Sequence, residues 1–406
     1  MNQNGYFVCH LESDKDVEDE LALMRLSFPG EKVDEMVERL LANHPGFNRS
    51  SFLTVRHGGR IVASLCMIPL TWSIGGVPLK TVEMGMVATH PDFRRRCLQR
   101  ILNTEYDQIV KTQGYDISVI EGIPFFYRQF GYEYTIPLDS ETVVPLDKLP
   151  RDLGGADIRP FEDSDIPTAM EQFLTSQDKL LVHSMRSREI WEGQQRTGWQ
   201  GGRQFVGYVL EVAGKPVAYF RVSHQEGHLY LIDSSVRDRG QAIVVLGFLK
   251  QLGEANGSKA LVSRLGHENI ITREILARGG EANRPYGWQV KVFDTRNLFY
   301  KLRPLLNSRL QSSPFAGLSD SIRVNMYWSC LAIRIEGGEV TEVEKCDGKR
   351  SDGVFLNPLV FPKLLLGVRD IEELMLEYPD VIVAPHYRGL VNTLFPKGDS
   401  FIQTCY

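Results

Sequence analysis

The amino-acid sequence predicts an α/β fold in which one mixed-sheet unit occurs twice in tandem and a smaller α+β segment follows. Two observations carry this prediction. Helices, strands, a loop, a further helix and a further strand follow one another in the same order in residues 11–134 and again in residues 158–280. From Gln289 the order changes to one helix, several strands and short apolar helices. The predicted domains are therefore residues 1–150, 156–288 and 289–406.

Composition places the chain among ordinary globular proteins. Its 406 residues are 43% hydrophobic and 24% charged, which is enough for several cores. The net charge is -5, and no basic stripe extends beyond Arg94–Arg96, so a nucleic-acid partner is not expected. The N-terminus has no basic and apolar leader, and no apolar run is long enough to span a membrane. We expect a cytoplasmic protein without a membrane partner.

The cysteines give neither a metal nor a disulfide pattern. No C-x-x-C motif or short-spaced pair occurs among Cys9, Cys66, Cys97, Cys330, Cys346 and Cys405. The sequence therefore predicts reduced thiols and no bound metal.

The first copy begins with two predicted helices in residues 11–42. Ser13 or Asp14 can cap the first helix, and Phe28-Pro29-Gly30 ends it. Between Glu12 and Glu38 there are ten carboxylates and three basic residues. This surplus is either a solvated helix face or, if these helices line an acceptor cleft, a field that attracts a cationic, polyamine-like acceptor.

Alternating apolar runs and turn residues predict the sheet. Residues 52–68 form a hairpin around Gly58-Gly59, and a third strand leads to a turn at Gly75-Gly76. A strand over 82–89 then precedes a basic loop, a helix over 98–111, a strand over 115–120 and an aromatic helix that ends at Phe130-Gly131-Tyr132. A strand that leads through a basic loop into a helix directs unpaired backbone N–H groups at one point, which suits a pyrophosphate.

Two motifs in this stretch resemble the GNAT superfamily of N-acetyltransferases. Arg94-x-x-Cys97-x-Gln99 stands where that superfamily carries R/Q-x-x-G-x-G/A, and residues 126–132 (FYRQFGY) match its F-Y-x-x-F/L-G-F/Y run. Chain length, partition and C-terminus are similar to the enhanced-intracellular-survival type. That resemblance implies two tandem GNAT-like domains, a sterol-carrier-like C-terminal domain, acetyl-CoA as co-substrate, a primary amine as acceptor and a homo-oligomer, in that family a ring of six.

The resemblance also implies a cofactor site in the first copy. A backbone N–H near the end of the central strand would stabilise the oxyanion, and period-2 alternation would turn the side chains of Met86 and Ala88 to the face opposite Val87. The residues implied to bind the cofactor lie at two strand ends and in the basic loop: Val87, Ala88, Thr89, Arg94, Arg95, Arg96, Cys97, Leu98, Gln99, Arg100, Ile120 and Glu121.

By the same resemblance, Tyr127 is the general acid and the carboxylate of Tyr406 is the general base. Proton transfer from an ordinary tyrosine to a thiolate is uphill by roughly 2 kcal/mol, so the surroundings of Tyr127 would have to ease it. A terminal carboxyl near pKa 3.5 would need desolvation or a bridging water. The alternatives are that Tyr127 is only a packed aromatic residue and that the apolar end, residues 401–406, is only docked.

Cys97 and Gln99 depart from the family pattern. A side chain at the first glycine position crowds the phosphate and costs on the order of 1 kcal/mol if the dihedral is left-handed. Cys97 would also lie at a helix N-terminus beside three arginines, which favours a reactive thiolate. The alternative function is therefore a non-catalytic ligand- or lipid-binding protein on a degenerate acetyltransferase scaffold.

The second copy satisfies the loop pattern more literally. Arg237-x-x-Gly240-x-Ala242 fits R-x-x-G-x-A, but no aromatic run follows the next strand, so the first copy is predicted to act. In the third segment, Asp294 caps a helix that should end near Pro304. Apolar helices near residues 356–366 and 371–378 could line a lipid pocket or form plain core.

Overall fold

The computed structural model describes residues 2–3, 5–138, 141–151, 157–347 and 353–406. The predicted linker at Gly154-Gly155 lies outside these residues. The chain forms two compact units. Unit 1 comprises residues 1–34, 47–136 and 287–400, and unit 2 comprises residues 35–46, 137–286 and 401–406. The division into three domains stays a prediction, whereas the predicted fold class of several mixed sheets is confirmed.

The strands of the first third are β1 Asn2–Gln3, β2 Tyr6–Cys9, β3 Phe52–His57, β4 Arg60–Ile74, β5 Val77–Thr89, β6 Ile117–Ile120 and β7 Glu133–Pro137. Those of the middle are β8 Thr142–Pro145, β9 Asp157–Pro160, β10 Val182–Met185, β11 Trp199–Gln200, β12 Arg203–Gln204, β13 Val206–Val212, β14 Lys215–Gln225, β15 His228–Ser234, β16 Ala260–Ser263 and β17 Glu281–Ala282. The remaining strands are β18 Gly287–Val292, β19 Asp320–Asn325, β20 Cys330–Glu336, β21 Glu339–Lys345, β22 Val354–Phe355, β23 Ile382–Val383 and β24 Ser400–Phe401.

The α-helices are α1 Asp14–Ser27, α2 Val33–Asn43, α3 Leu98–Thr112, α4 Ile166–Ser176, α5 Arg188–Thr197, α6 Arg239–Ala255, α7 Ile270–Ala277, α8 Thr295–Gln311, α9 Phe361–Leu365, α10 Ile371–Glu377 and α11 Arg388–Leu394. Single 3-10 turns occur at Arg49–Ser51, Pro91–Phe93, Tyr127–Phe130, Leu146–Lys148, Asp163–Asp165 and Pro385–Tyr387. None of the described helices is long and apolar enough to cross a membrane.

The first sheet of unit 1 has the order β1-β2-β3-β4-β5-β6-β18-β7. Its neighbours β3, β4 and β5 are antiparallel, and β6 pairs with β5 in parallel because α3 forms the crossover between them. Leu98, Leu102 and Tyr106 of α3 are buried against this sheet. The predicted strands and helix of the motif region are therefore present, with bounds within a few residues of those expected.

A β-bulge interrupts the central strand β5 where the site begins. Gly85 pairs with Cys66 and Ala88 pairs with Ser64, so two residues, Met86 and Val87, lie opposite Leu65. Met86 has φ 52°, a left-handed value that a side chain rarely adopts. The predicted period-2 alternation at Met86 is therefore wrong, because the extra residue breaks the period.

Unit 1 also contains a second sheet with the order β21-β20-β19-β22-β23. The helix α8 continues through Pro304, so the predicted end near that proline is wrong. A proline inside a helix costs about 3 kcal/mol. The apolar stripe outweighs this cost, because Leu306 and Leu310, beyond the proline, are as buried as Leu298 and Leu302 before it.

A disulfide joins Cys330, the first residue of β20, to Cys346, the residue directly after β21. The backbone N–H of Cys346 donates to the carbonyl of Cys330 across the pair at 2.9 Å. The expectation that all six thiols are reduced is therefore wrong for this pair. A separation of 16 residues conceals a direct cross-strand neighbour, since the two strands meet at the turn of Gly337 and Gly338.

Unit 2 contains a mixed sheet with the order β17-β8-β16-β15-β14-β13-β9. The strands β13, β14 and β15 are antiparallel, and β16 is parallel to β15 after the crossover helix α6. This sheet repeats the arrangement of β3, β4, β5 and β6 in unit 1. Its core forms where Val245, Leu246 and Leu249 of α6 are buried with Phe220 and Leu231 of the sheet.

Candidate active site

The loop between β5 and α3 presents a run of open backbone donors. Within the described residues, no backbone N–H from Arg95 to Gln99 donates a hydrogen bond to another protein group. Arg95 and Cys97 have φ values of 61° and 59°, with Arg96 between them. Such alternation turns successive N–H groups toward one side of the chain and forms an anion-binding concavity. The loop has the geometry expected for a pyrophosphate site.

Cys97 is the N-cap residue of α3 and is exposed. Its backbone is left-handed, the conformation that disfavours a side chain, and its thiol makes no capping hydrogen bond. A glycine would adopt this conformation without the steric cost of a Cβ atom. The residue therefore occupies its predicted place at some cost in backbone strain.

Gln99 lies in the first turn of α3 and turns its side chain toward the sheet. Its amide nitrogen donates to the carbonyl of Ala88 at 2.8 Å, to the carbonyl of Ser64 at 3.3 Å and to the hydroxyl of Thr89 at 3.1 Å. These bonds tie the start of the helix to the strand end after the bulge. The Gln99 side chain does not extend over the open N–H groups, so its size does not crowd them.

The arginines around the loop fall into two groups. Arg96 donates to the hydroxyl of Tyr6 at 3.0 Å, and Arg100 donates to Gln129 at 3.0 Å. The side chains of Arg94 and Arg95 are exposed and make no ion pair with any described residue. These two arginines of the loop can serve a phosphate ligand without first breaking an ion pair with a described residue.

Gly122 makes room for Tyr127 after the parallel strand β6. A Cβ atom on Gly122 would lie 2.1 Å from Cδ2 of Tyr127, and the Gly122 carbonyl accepts a hydrogen bond from Gln289 at 2.7 Å. The predicted residues Ile120 and Glu121 precede this glycine, Ile120 buried and Glu121 exposed. Sequence reasoning did not single out Gly122, although a glycine five residues before the predicted acid was a visible signal.

Tyr127 is only 5% exposed and opens the 3-10 turn of the aromatic run. Its ring packs edge-on against Phe126 at 5.0 Å between centroids. Burial raises the pKa of Tyr127 above its ordinary value of 10. The hydroxyl therefore keeps its proton through the neutral range. The predicted easing of proton transfer is not found in this shift, which makes the tyrosine a weaker acid.

Buried acids lie on the other face of the bulged strand, and the sequence analysis did not identify them. Glu20 of α1 is fully buried beside Ser64 and Cys66 of β4 and Glu83 of β5. Burial raises the pKa of Glu20 to about 7, against a smaller lowering by the Ser64 hydroxyl. Burial, followed by the fields of Glu83 and Glu20, raises the pKa of the Cys66 thiol. The sequence did not distinguish Glu20 because it is one of ten carboxylates in residues 12–38.

In unit 2, the C-terminal residues are held by a set of buried donors. Arg186 donates to the carbonyl of Thr404 at 2.7 Å, and Gln194 donates to the carbonyl of Cys405 at 3.2 Å. The backbone N–H of Gly201 donates to the carbonyl oxygen of Tyr406. The predicted docking of this end is confirmed. Its buried partners have no local sequence signal, since they come from separate elements.

The second copy closes its own helix start. Asp238 is the N-cap of α6, and its carboxylate accepts from the backbone N–H of Gln241 at 2.9 Å. Arg237, the first residue of the literal motif, is paired with Asp178 at 3.1 Å. A fixed carboxylate at this position repels a phosphate and uses a donor that the phosphate would need. No group of three potential metal ligands occurs among the described residues of either unit.

The segment of unit 1 that carries these features is similar to a known domain family. Residues 10–135 match the family described as the acetyltransferase (GNAT) domain. The match covers the bulged strand, the open loop, α3 and the aromatic run. This segment of the chain is therefore similar to the GNAT acetyltransferase domain, a family that uses an acyl-CoA as co-substrate.

Solved structures extend the similarity of fold to the whole chain. A GCN5-related N-acetyltransferase from Anabaena variabilis is 14% identical, has a TM-score of 0.76 and covers 99% of this chain and 100% of its own. A probable N-acyltransferase from Enterococcus faecalis is 14% identical with a TM-score of 0.77, and the match covers 99% of this chain and 100% of that one. Eis1 from Mycobacterium abscessus is 11% identical with a TM-score of 0.67, and the match covers 99% of this chain and 100% of that one. No curated protein sequence matches the chain.

Proposed function

We propose that the protein is an N-acetyltransferase of the enhanced-intracellular-survival type that transfers acetyl from acetyl-CoA to a primary amine. The candidate acceptors are an aminoglycoside, a polyamine, a peptide or a lysine side chain. The observation that carries the proposal is the run of open N–H groups from Arg95 to Gln99, directly after the bulged end of β5 and beside the start of α3. This arrangement suits the pyrophosphate of coenzyme A.

In this proposal the first copy holds the cofactor. Arg94, Arg95 and the backbone of Cys97, Leu98 and Gln99 bind the pyrophosphate. The strand end from Val87 to Thr89 supplies the backbone donor that stabilises developing oxyanion charge. The remaining residues of the proposed site, Ala88, Arg96, Arg100, Ile120 and Glu121, line or support it.

Tyr127 is the proposed general acid and the carboxylate of Tyr406 the proposed general base. Tyr127 is supported by its buried position beside Gly122, while its raised pKa opposes proton donation and would have to be offset in the bound complex. Tyr406 is supported by the side-chain donors that hold the carbonyls of Thr404 and Cys405 and by the backbone N–H of Gly201, which donates to the carbonyl oxygen of Tyr406 itself. In this proposal Tyr406 takes the proton that the attacking amine loses, and Tyr127 gives a proton to the leaving thiolate of coenzyme A.

Further proposals concern the C-terminal domain, the assembly, the location and the acyl group. The sheet β21-β20-β19-β22-β23 with its helices would be the sterol-carrier-like domain, a small cavity of which is lined only by apolar side chains. The chain would assemble as a homo-oligomer, in a ring of six, and act in the cytoplasm. Acetyl is the proposed acyl group.

Calorimetric titration with acetyl-CoA tests the proposal most simply, on the wild type and on Cys97→Gly. Micromolar binding by the wild type, followed by acetylation of an amine that Tyr127→Phe abolishes, is the expected result. Binding that appears only in Cys97→Gly would mean that Cys97 disables an intact site.

Absence of binding in both proteins would overturn the proposal. It would favour the ligand- or lipid-binding alternative, which the apolar cavity of the second sheet in unit 1 could serve. Alkylation of Cys97 offers an independent test. We expect it to block cofactor binding, and we expect bound acetyl-CoA to slow the labelling. Labelling that is indifferent to acetyl-CoA would contradict the location of the site.

A further inference from the structure

Gln289 comes to the aromatic turn of the first copy from a distant part of the sequence. It lies in β18, which pairs with β6 in the first sheet of unit 1, and it stands directly opposite Ile120. Directly opposed residues of an antiparallel pair share one face of the sheet. Ile120 packs in the core cluster that contains Leu98 of α3 and Tyr127. The Gln289 side chain therefore lies on the face of the sheet that α3 and the proposed acid cover.

One end of the Gln289 amide has a partner and the other end has none. The Nε2 atom donates to the carbonyl of Gly122 at 2.7 Å. A carbonyl can only accept, so this bond fixes which end of the amide is the nitrogen. The Oε1 atom is buried and accepts no hydrogen bond from any described residue. Gln289 therefore holds one oriented and unused acceptor inside unit 1.

The Gln289 amide and the ring of Tyr127 meet at Gly122. A Cβ atom on this glycine would lie 2.3 Å from Cε2 of Tyr127 and 3.1 Å from Nε2 of Gln289. The lack of a side chain at Gly122 thus lets the aromatic ring and the amide approach the same point. The unused acceptor and the proposed acid are neighbours.

An unused buried acceptor disfavours folding. A buried carbonyl oxygen without a donor loses its hydrogen bonds to water and gains none in return, whereas an apolar side chain of similar size has no such loss. Apart from its one bond to Gly122, packing gives no reason for an amide at this position. A buried acceptor of this kind matches a ligand that brings an N–H group.

The segment between Gly122 and Tyr127 leaves large apolar side chains in water. Ile123 is 64% exposed and Phe125 is 77% exposed. Phe125 also has φ 63°, a left-handed value that is costly for an aromatic residue. A strained segment with few buried contacts can shift without loss of core packing. Such a shift gives a ligand a way to the buried acceptor beside it.

The chemistry of coenzyme A supplies an N–H at the matching position. In the proposed function Tyr127 gives a proton to the leaving sulfur, so the sulfur lies against the tyrosine hydroxyl. Two methylene groups beyond the sulfur, the pantetheine arm carries an amide whose N–H can only donate. No other donor of the arm is as close to the sulfur. An acceptor beside Tyr127 is therefore within reach of this amide.

We propose that Gln289 binds the acyl-CoA arm, its Oε1 accepting a hydrogen bond from the amide N–H nearest the sulfur. The inference rests on the proposed function, since it takes Tyr127 to lie at the leaving sulfur. It adds to the cofactor site a residue that follows both copies in the sequence. The bond to Gly122 orients the acceptor before the cofactor arrives, so little side-chain entropy is lost on binding.

Titration calorimetry on the full chain compares acetyl-CoA with an analogue in which an ester oxygen replaces this amide N–H. We expect the wild type to bind acetyl-CoA at least about tenfold more tightly, because the analogue lacks the donor and sets an oxygen against Oε1. In Gln289→Leu the two compounds should bind within about twofold of each other. Equal affinities in the wild type would overturn the inference, and this measurement requires no variant to fold.

Gln177→Leu is the matched control. Gln177 of unit 2 is also buried, and its Oε1 also accepts no hydrogen bond from a described residue. This variant should keep the wild-type preference for acetyl-CoA. Urea unfolding checks that both variants fold, and Gln289→Met replaces Gln289→Leu if the branched side chain does not fit. A tenfold preference that persists without the Gln289 amide would mean that another acceptor takes the N–H, contrary to the inference.

Failure of the proposed function gives a different result. If neither compound binds to the wild type, acyl-CoA binding itself is overturned, and the inference with it. If both compounds bind equally and the protein acetylates an amine, the acetyltransferase stands and only the role of Gln289 is overturned.

Discussion

The helix that follows the bulged strand begins differently in the two copies of the α/β unit. In the first copy, α3 follows a left-handed Cys97 and a run of N–H groups without protein partners. In the second copy, α6 follows an extended Asp238, whose carboxylate already accepts from Gln241. The literal motif therefore belongs to the copy with the closed helix start, and the degenerate motif belongs to the open one.

The bulged strands show the same contrast. In β15 the extra residue is Ile232, and its carbonyl accepts a hydrogen bond from the side chain of Gln403, close to the C-terminal end. Gly266, after the parallel strand of this copy, faces the ring of Phe401. In the first copy the glycine after the parallel strand faces Tyr127. The second copy thus holds a segment of its own chain where the first copy holds its proposed catalytic residue.

The largest expected effect comes from Tyr127→Phe. Loss of the proposed acid should lower kcat by about 10²–10⁴-fold and leave the Kd for acetyl-CoA unchanged, since the ring and its packing remain. Steady-state kinetics and calorimetry check the two quantities. Tyr208→Phe, in the second copy, is the matched control and should behave like the wild type. A similar kcat in the two variants would mean that Tyr127 only packs.

Buried titratable groups give the next effect, and here the two units differ in sign. Burial raises the pKa of Glu20 in unit 1 to about 7 from its ordinary value of 4.5. Its contribution to stability is therefore fully present below pH 4.5 and is lost as pH rises toward 7. Burial lowers the pKa of His44 in unit 2 to about 4 from its ordinary value of 6.5. Its contribution to stability therefore rises as pH increases from 4 to 6.5. At neutral pH Glu20 therefore lowers the free energy of unfolding more than His44 does.

Glu20→Gln should therefore match the wild type at pH 4.5 and exceed its stability at pH 8, by up to about 3 kcal/mol. Urea unfolding midpoints across this range measure the difference. Glu18→Gln, on the exposed face of the same helix, is the control. Identical pH dependence of Glu20→Gln and the wild type would rule out Glu20 as a buried acid of raised pKa.

Exchange of the helix starts gives a smaller effect. Cys97→Asp places the cap of the second copy in the first and puts a negative charge at the phosphate position, so acetyl-CoA affinity should fall by about 30-fold. Asp238→Ala should cost about 1 kcal/mol of stability through loss of a cap and leave acetyl-CoA affinity unchanged. Calorimetry measures the acetyl-CoA affinity of both variants, and urea unfolding measures their stability. A loss of acetyl-CoA affinity in Asp238→Ala alone would mean that the second copy, and not the first, binds the cofactor.

The smallest effect is that of Cys97→Gly. Removal of a side chain from a left-handed residue should stabilise the protein by on the order of 1 kcal/mol and tighten acetyl-CoA binding by at most about tenfold. Cys97→Ala, which keeps a Cβ atom, is the control and should resemble the wild type. Equal gains in both variants would show that the thiol, and not the backbone, limits binding.

The sequence was sufficient for features with a local signal. The hairpin around Gly58-Gly59, the helix α3 and the aromatic turn at Tyr127 follow from turn residues and apolar periodicity. The N-cap at Ser13 also appears as expected, with Asp16 completing a capping box. These features depend on residues a few positions apart, so a single chain can reveal them.

Features set by tertiary packing were missed or mistaken. The left-handed Met86 has no local marker, since a bulge is fixed by the register of β4 against β5. The continued helix at Pro304 depends on burial beyond the proline, and the bond from Cys330 to Cys346 depends on strand pairing. The inward turn of Gln99 depends on carbonyl groups that the fold brings to it.

The contrast between the two helix starts implies that the first copy alone binds acetyl-CoA. The stoichiometry of a calorimetric titration tests it most directly. We expect one acetyl-CoA per chain, with binding lost in Arg94→Ala/Arg95→Ala and retained in Arg237→Ala. Two molecules per chain, or binding that is lost only in Arg237→Ala, would contradict the account.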